Sequence, residues 1–248
     1  MCVGFPGVVL ALLMTLFLKE PPRGLMDGGT NSNAAPRIIE TAQTMWQNLA
    51  LRHMIIGATI TVMISYGLTQ WLPTFFIRTQ DMSAASVGMM MALFFRLLGL
   101  FGALISGKIT DKLLVKGFQY GPWIISVSAL LTPIFWVMAM FVNDFQTMML
   151  LLIIPAFISN FYLGPTLALI QTMSPVHMRA VTAAITMLCL NLIGLGLGPL
   201  TVGILSDFLK TYYPETSLNM AIGCFSLFGF WASYHYYRCG KLLADGQQ

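Results

Sequence analysis

Arg96 is the residue on which the chemistry of this chain turns. From Val87 to Ser106 it is the only charge in an apolar run, and that run at 1.5 Å per residue is about 30 Å long, the thickness of a hydrocarbon core. Insertion scales put an arginine at that depth roughly 2.5 to 3.5 kcal/mol uphill, so it requires something polar to face. Gly88, Ala92, Arg96, Gly99 and Ala103 recur at spacings of four, four, three and four, which is one helical stripe. Small residues mark contacts between membrane helices, so the stripe predicts an Arg96 that points into a bundle and not at lipid. No acid of this chain lies at its depth: Asp81, Asp144 and Asp207 stand at one end of their apolar runs and Asp111 at the other. A guanidinium so placed suits a substrate carboxylate or phosphate, which its planar fork binds bidentately. The structural alternative is a pair with a carboxylate outside this chain, or with carbonyls freed near Pro165.

Other polar residues fall at similar depth. Thr59, Met63, Tyr66, Gln70 and Pro73 are spaced by four, three, four and three, which puts the Tyr66 hydroxyl and the Gln70 amide on one face. Asn160 shares a face with Gly164, and Asn191 with Gly194 and Gly198. Arg96, Tyr66, Gln70, Asn160 and Asn191 are therefore the expected substrate-binding set, with Asn191 also readable as interhelical glue. Gly107, Asp111 and Lys112 form an expected gate at the end of the Arg96 run. There Asp111 is placed to accept hydrogen bonds from a neighbouring helix N-terminus, and Arg179 in the adjacent loop is its possible partner. Pro165 removes one backbone bond from its helix and is expected to bend it.

Catalytic and cofactor chemistry find no support. Cys2, Cys189, Cys224 and Cys239 have no paired spacing and read as small hydrophobes. His53, His177 and His235 are dispersed, so no metal site is expected. No P-loop, G-x-S-x-G or H-E-x-x-H pattern occurs, and no carboxylate pair shares a depth, so no enzyme is expected.

The elements that position these residues are membrane spans. The chain is 57% hydrophobic and 9% charged, too apolar for a soluble domain. Seven apolar segments are expected: Met1 to Leu18, Arg52 to Ile77, Ser83 to Ser106, Pro122 to Val142, Phe145 to Ile170, Ala180 to Leu205, and Leu218 to Tyr237. Between the first two, Lys19-Glu20-Pro21-Pro22-Arg23-Gly24 ends a helix, Gly28-Gly29 is loop-like, and Ile38, Ile39, Met45, Trp46 and Leu49 suggest a short interfacial helix. Ten basic residues fall on the side of this segment and of the C-terminus, against Arg78 and Lys210 on the other. The positive-inside rule makes the first side cytoplasmic. The bases are scattered over separate loops, so nucleic acid is not an expected partner. Gly107 to Asp111 and Gly203 to Asp207 close the second helices of two three-helix groups of opposite topology, an inverted repeat of the kind that builds secondary transporters.

Gly107-Lys108-Ile109-Thr110-Asp111-Lys112 with Lys116 resembles the loop signature between the second and third helices of each half of the major facilitator superfamily, although Leu114 replaces a glycine of that pattern. The Pro175 to Arg179-Ala180 turn and the Gly194, Gly196, Gly198-Pro199, Gly203 run are also similar to family landmarks. Glu20-Pro21-Pro22-Arg23-Gly24, Trp71-Leu72-Pro73 through Phe76-Ile77-Arg78, and Gly203 to Asp207 followed by Glu215 to Leu218 resemble the spinster-like branch.

The resemblance implies an all-α polytopic protein, the six-helix C-terminal bundle of a twelve-helix transporter preceded by one further helix. Residues 1–18 would be the last helix of the N-terminal bundle, 19–51 a cytoplasmic inter-bundle loop, 52–238 the transport bundle and 239–248 a cytoplasmic tail. Helices one to five would be absent, which makes the chain a fragment or a half-transporter with a pairing subunit. The expected function is secondary active transport of a small or amphiphilic organic anion, lysolipid-like substrates included, coupled to protons. The rival is a non-transporting receptor or assembly scaffold, which would keep Arg96 sealed and paired, whereas a transporter leaves it on a wet midplane cavity.

Overall fold

A computed structural model describes residues 5–18 and 36–246. The helix-ending Lys19 to Gly24, the Gly28-Gly29 loop and Cys2 lie outside the described residues. The chain divides into two units, Met1–Ala35 and Pro36–Gln248. In the first, α1 (Phe5–Phe17) is an apolar helix of 13 residues.

The second unit is helical throughout its regular elements. A short α2 (Ile38–Gln47) meets α3 (Leu49–Thr79) at Asn48, an extended residue whose side chain accepts the Leu51 N–H at 3.1 Å. Such a cap satisfies one of the N–H groups that a helix start leaves unpaired. The next span consists of α4 (Ala84–Met90), a π-helical segment Met91–Arg96, and α5 (Leu97–Leu114). Then come α6 (Tyr120–Met140) and a span broken into α7 (Phe145–Ile158) and α8 (Leu163–Met173). The following span joins α9 (Arg179–Cys189), a second π-helical segment Leu190–Leu195, and α10 (Gly196–Lys210). Last are α11 (Ser217–Ser226) and α12 (Phe228–Asp245).

Among the described residues, five helical stretches are long and apolar enough to cross a bilayer: Leu49–Thr79, Ala84–Leu114, Tyr120–Met140, Phe145–Met173 and Val176–Lys210. The expected span at Leu218 to Tyr237 is instead two helices joined at Leu227, and α12 runs on to Asp245 with Cys239 and Gly240 buried. The C-terminal segment is thus helical well past Arg238.

α3 is the centre of the bundle, packed against α10 and α12, and α12 also packs on α6. Gly67, Gly194 and Gly198 let α3 and α10 touch, and Trp71 Nε1 donates to the Pro199 carbonyl at 2.8 Å across the same contact. Between α6 and α12, Ser126 Oγ donates to the Ser233 carbonyl at 2.8 Å and Ser233 Oγ to the Ser126 carbonyl at 2.9 Å. Polar pairs of this kind satisfy groups that lipid cannot.

The π-helical segment changes the expected packing stripe. Each π turn holds one residue more than an α turn, which rotates all that follows. Gly88 and Ala92 are exposed, and contact with the broken span comes from Gly99, Gly102 and Ser106. Each π segment leads into the helix that contains one of the Gly107 and Gly203 sequences, a structural likeness beside the sequence likeness.

Candidate functional site

The broken span builds the site. At Ser159–Tyr162 the chain tightens, with the Phe161 N–H bonded to Ile158 O at 3.0 Å and the Leu163 N–H to Asn160 O at 3.2 Å. Pro165 lies in the first turn of α8 and not at the expected mid-helix bend, and it has no N–H for the Phe161 carbonyl. Ser106 Oγ donates to that carbonyl at 2.6 Å, so the group freed by proline is satisfied by the neighbouring span and not by Arg96. Gly102 allows the approach, because a Cβ there would run into the Phe157 carbonyl. A Cβ on Gly99 would lie 2.7 Å from Asn160 Nδ2, so the Asn160 side chain lies over that glycine.

Around this break is a cavity of about 110 Å³, room for several waters. α3 contributes Thr61, Ser65 and Thr69, the π segment Phe95 and Arg96, α6 Ser128, Thr132 and Trp136, and the break Ser159, Asn160 and Tyr162. Gly229 and Ala232 of α12 close it. Among the described residues no acid lines it. Four hydroxyls donate their protons to their own helices: Thr61 to Gly57 O at 2.9 Å, Ser128 to Ile125 O at 2.8 Å, Thr132 to Ser128 O at 2.9 Å and Ser159 to Ala156 O at 2.7 Å. Each therefore keeps lone pairs free to accept a further hydrogen bond. Arg96 supplies the opposite character, five N–H donors and a fixed positive charge. The chemistry fits a ligand with an anionic group and hydrogen-bond donors of its own.

Of the expected binding residues, the structure brings Arg96 and Asn160 together. Tyr66 and Gln70 do share a face of α3, but that face is exposed and the cavity is lined by the hydroxyls at Thr61, Ser65 and Thr69. Asn191 is exposed within the second π segment, its Nδ2 donating to Met187 O at 2.8 Å, while Gly194 and Gly198 are buried against α3. The π turn separates residues that α spacing would align. Gly107, Asp111 and Lys112 are inside α5, which continues to Leu114, so Asp111 does not follow a helix end. Asp111, Lys112 and Arg179 are exposed, and the Arg179 carbonyl accepts from Gln171 Nε2 at 3.5 Å.

The two histidines that looked dispersed are paired. His53 Nδ1 and His235 Nδ1 lie 2.8 Å apart between α3 and α12, one ring donating and the other accepting, within an aromatic group that includes Trp231 and Tyr234. Their separation of 182 residues leaves no local signal in sequence.

A family model described as Major Facilitator Superfamily matches residues 1–199. The chain belongs to the major facilitator superfamily. It is 30% identical over 193 residues to an MFS-type efflux pump of Mycolicibacterium smegmatis, a match that covers 76% of this chain and 45% of the pump. Its fold is similar to that of a bacterial homolog to the human lysosomal transporter Spinster. The inward-facing, unoccupied crystal structure of that homolog superposes with a TM-score of 0.76 at 19% identity, over 98% of this chain and 58% of the other. The inward-facing, occupied structure gives 0.66 at 19% identity, over 98% and 57%. The chain thus spans about half the length of the relatives it matches. This is a multi-pass membrane protein of a transporter family, all-α in its described residues.

Proposed function

We infer that this bundle is the C-terminal half of a spinster-like secondary active transporter, moving a small or amphiphilic organic anion by alternating access with protons as the coupling ion. Residues 1–18 end the N-terminal bundle, 19–51 join the two bundles on the cytoplasmic side, 52–238 form the transport bundle and 239–248 the cytoplasmic end. A second bundle, from the same polypeptide or a pairing subunit, completes the path. Arg96 binds the anionic group, Asn160 and the cavity hydroxyls take its donors, and Tyr66, Gln70 and Asn191 face the second bundle. Gly107, Asp111, Lys112 and Arg179 work at the inner gate, with the break before Pro165 as the flexible point. The observation that carries this reading is the setting of Arg96: exposed, at mid-span, on a largely apolar cavity that offers several hydroxyls and, among the described residues, no acid. A scaffold has no use for such a charge, which favours transport over that rival.

Transport of lysolipid-like and other organic anions by the whole transporter in proteoliposomes tests it. Losing charge-assisted hydrogen bonds worth about 1.5 to 3 kcal/mol lowers uptake roughly ten- to a hundredfold for Arg96→Ala. Arg96→Lys keeps the charge without the fork and falls between. Wild-type uptake by a correctly inserted Arg96→Ala protein would refute the assignment.

A further inference from the structure

α2 has three faces, and one of them is unexplained by the bundle. At about 100° per residue, Thr41 and Met45 fall on one side and are buried. Ile38, Ile39, Ala42 and Trp46 fall on the adjoining side, where Ile39 is 73% and Trp46 63% exposed. Glu40, Gln43, Thr44 and Gln47 make the third, polar side. Ile39 and Trp46 stand either side of the small Ala42, leaving a shallow, mainly apolar groove with Gln43 and Gln47 along its polar edge.

The chain itself says how far from the bilayer this face lies. α3 has 31 residues and starts one residue after α2 ends. At 1.5 Å per residue it is about 46 Å long, roughly 16 Å more than a hydrocarbon core, so its ends reach about 8 Å into the headgroups. Asn48 is extended and separates the two helices there, which leaves α2 at headgroup depth. The neighbouring charges are basic. Arg37 precedes α2 and is exposed, Arg52 lies over the Trp46 ring at 5.1 Å, and Arg179 opens α9, against which α2 packs. Glu40 on the polar side is the only acid of α2. An apolar strip with an interfacial tryptophan, a polar strip and flanking arginines is the arrangement that lies in a membrane surface and attracts anionic lipid.

We propose that α2 lies in the membrane surface with Ile38, Ile39, Ala42 and Trp46 in the acyl boundary, where Arg37 and Arg52 select anionic phospholipid headgroups. The arginines hold the phosphates by bidentate hydrogen bonds. The surface depends on the chain spanning the membrane and not on the substrate or on which side is cytoplasmic.

Fluorescence quenching by lipids brominated near the headgroup tests it without any transport. The full chain is reconstituted in vesicles containing brominated phosphatidylglycerol or brominated phosphatidylcholine at equal mole fraction, and the Trp46 share is the difference between wild type and Trp46→Phe. The expected result is at least twofold stronger quenching of that share by the anionic lipid, abolished by Arg37→Gln with Arg52→Gln. Ile39→Trp in the Trp46→Phe background repeats the pattern, and Glu40→Trp in that background, on the polar side, is quenched by neither lipid. A Trp46 share untouched by both lipids means that water, a second bundle or another copy covers the face, and overturns the proposal. Equal quenching by both lipids overturns the headgroup selection.

Discussion

Ser106 shows how a single side chain sustains the site. It takes the carbonyl that Pro165 leaves free, at the point where the span breaks beside Arg96 and Asn160. Ser106→Ala leaves Phe161 O unpaired in a buried contact, and a melting experiment in detergent reads a loss of about 1 kcal/mol. At the membrane edge, Asp144 caps α7, accepting from the Thr147 N–H at 2.7 Å and the Thr147 hydroxyl at 2.6 Å. The Thr147 side-chain bond, then the backbone bond, hold its carboxyl below the ordinary carboxylate value. A group depressed on folding stabilises above its unfolded pKa and loses that contribution as pH falls through its folded one. Amide protection factors in the first turn of α7, relative to intrinsic exchange, therefore fall only below the usual carboxylate range, and Asp144→Ala shows the lowered protection already at neutral pH. Arg96 is legible in sequence because a lone charge in an apolar run admits few readings. The cavity hydroxyls are not, because serines and threonines occur on most of the spans and their protons are spent on their own helices.

Among the elements, glycines separate contact from mere composition. Gly102 sits against the Phe157 carbonyl and Gly198 against the Met63 carbonyl, backbone groups that cannot yield. Gly88 and Gly107 meet nothing within 4 Å. Gly102→Val therefore costs about 1 to 3 kcal/mol or more by overpacking, read as a fall in folded yield and melting temperature. Gly107→Ala leaves both unchanged. Hydropathy and length identify the spans well, since lipid admits only helices with every backbone group paired. Register within them is less legible. Spacing correctly puts Tyr66 and Gln70 on one face of α3 but does not say which face the bundle buries. At Arg96 and Asn191 a π turn adds a residue that a 3.6-residue rule does not count. The break at Ser159–Tyr162 has only the flanking Pro155 and Pro165 as its sequence signal.

Within the unit from Pro36 onward, closely packed helices surround one interrupted span. α3, α10, α12 and α6 are joined by glycine contacts and reciprocal serine bonds, whereas the span that carries Asn160 is interrupted at mid-depth. The π-helical Met91–Arg96 segment meets that interruption across the cavity. Such a pairing of rigid and broken helices suits a site that is offered first to one side of a membrane and then to the other. In the proposed transport cycle the Arg96 cavity lies on the substrate path. The most direct measurement is the reactivity of Asn160→Cys towards a small membrane-impermeant thiol reagent, in the whole transporter with its other reactive cysteines replaced by serine. Alternating access predicts labelling from either side of the membrane, slowed by a transported organic anion. Labelling from neither side, or from one side alone at every substrate concentration, would contradict the account.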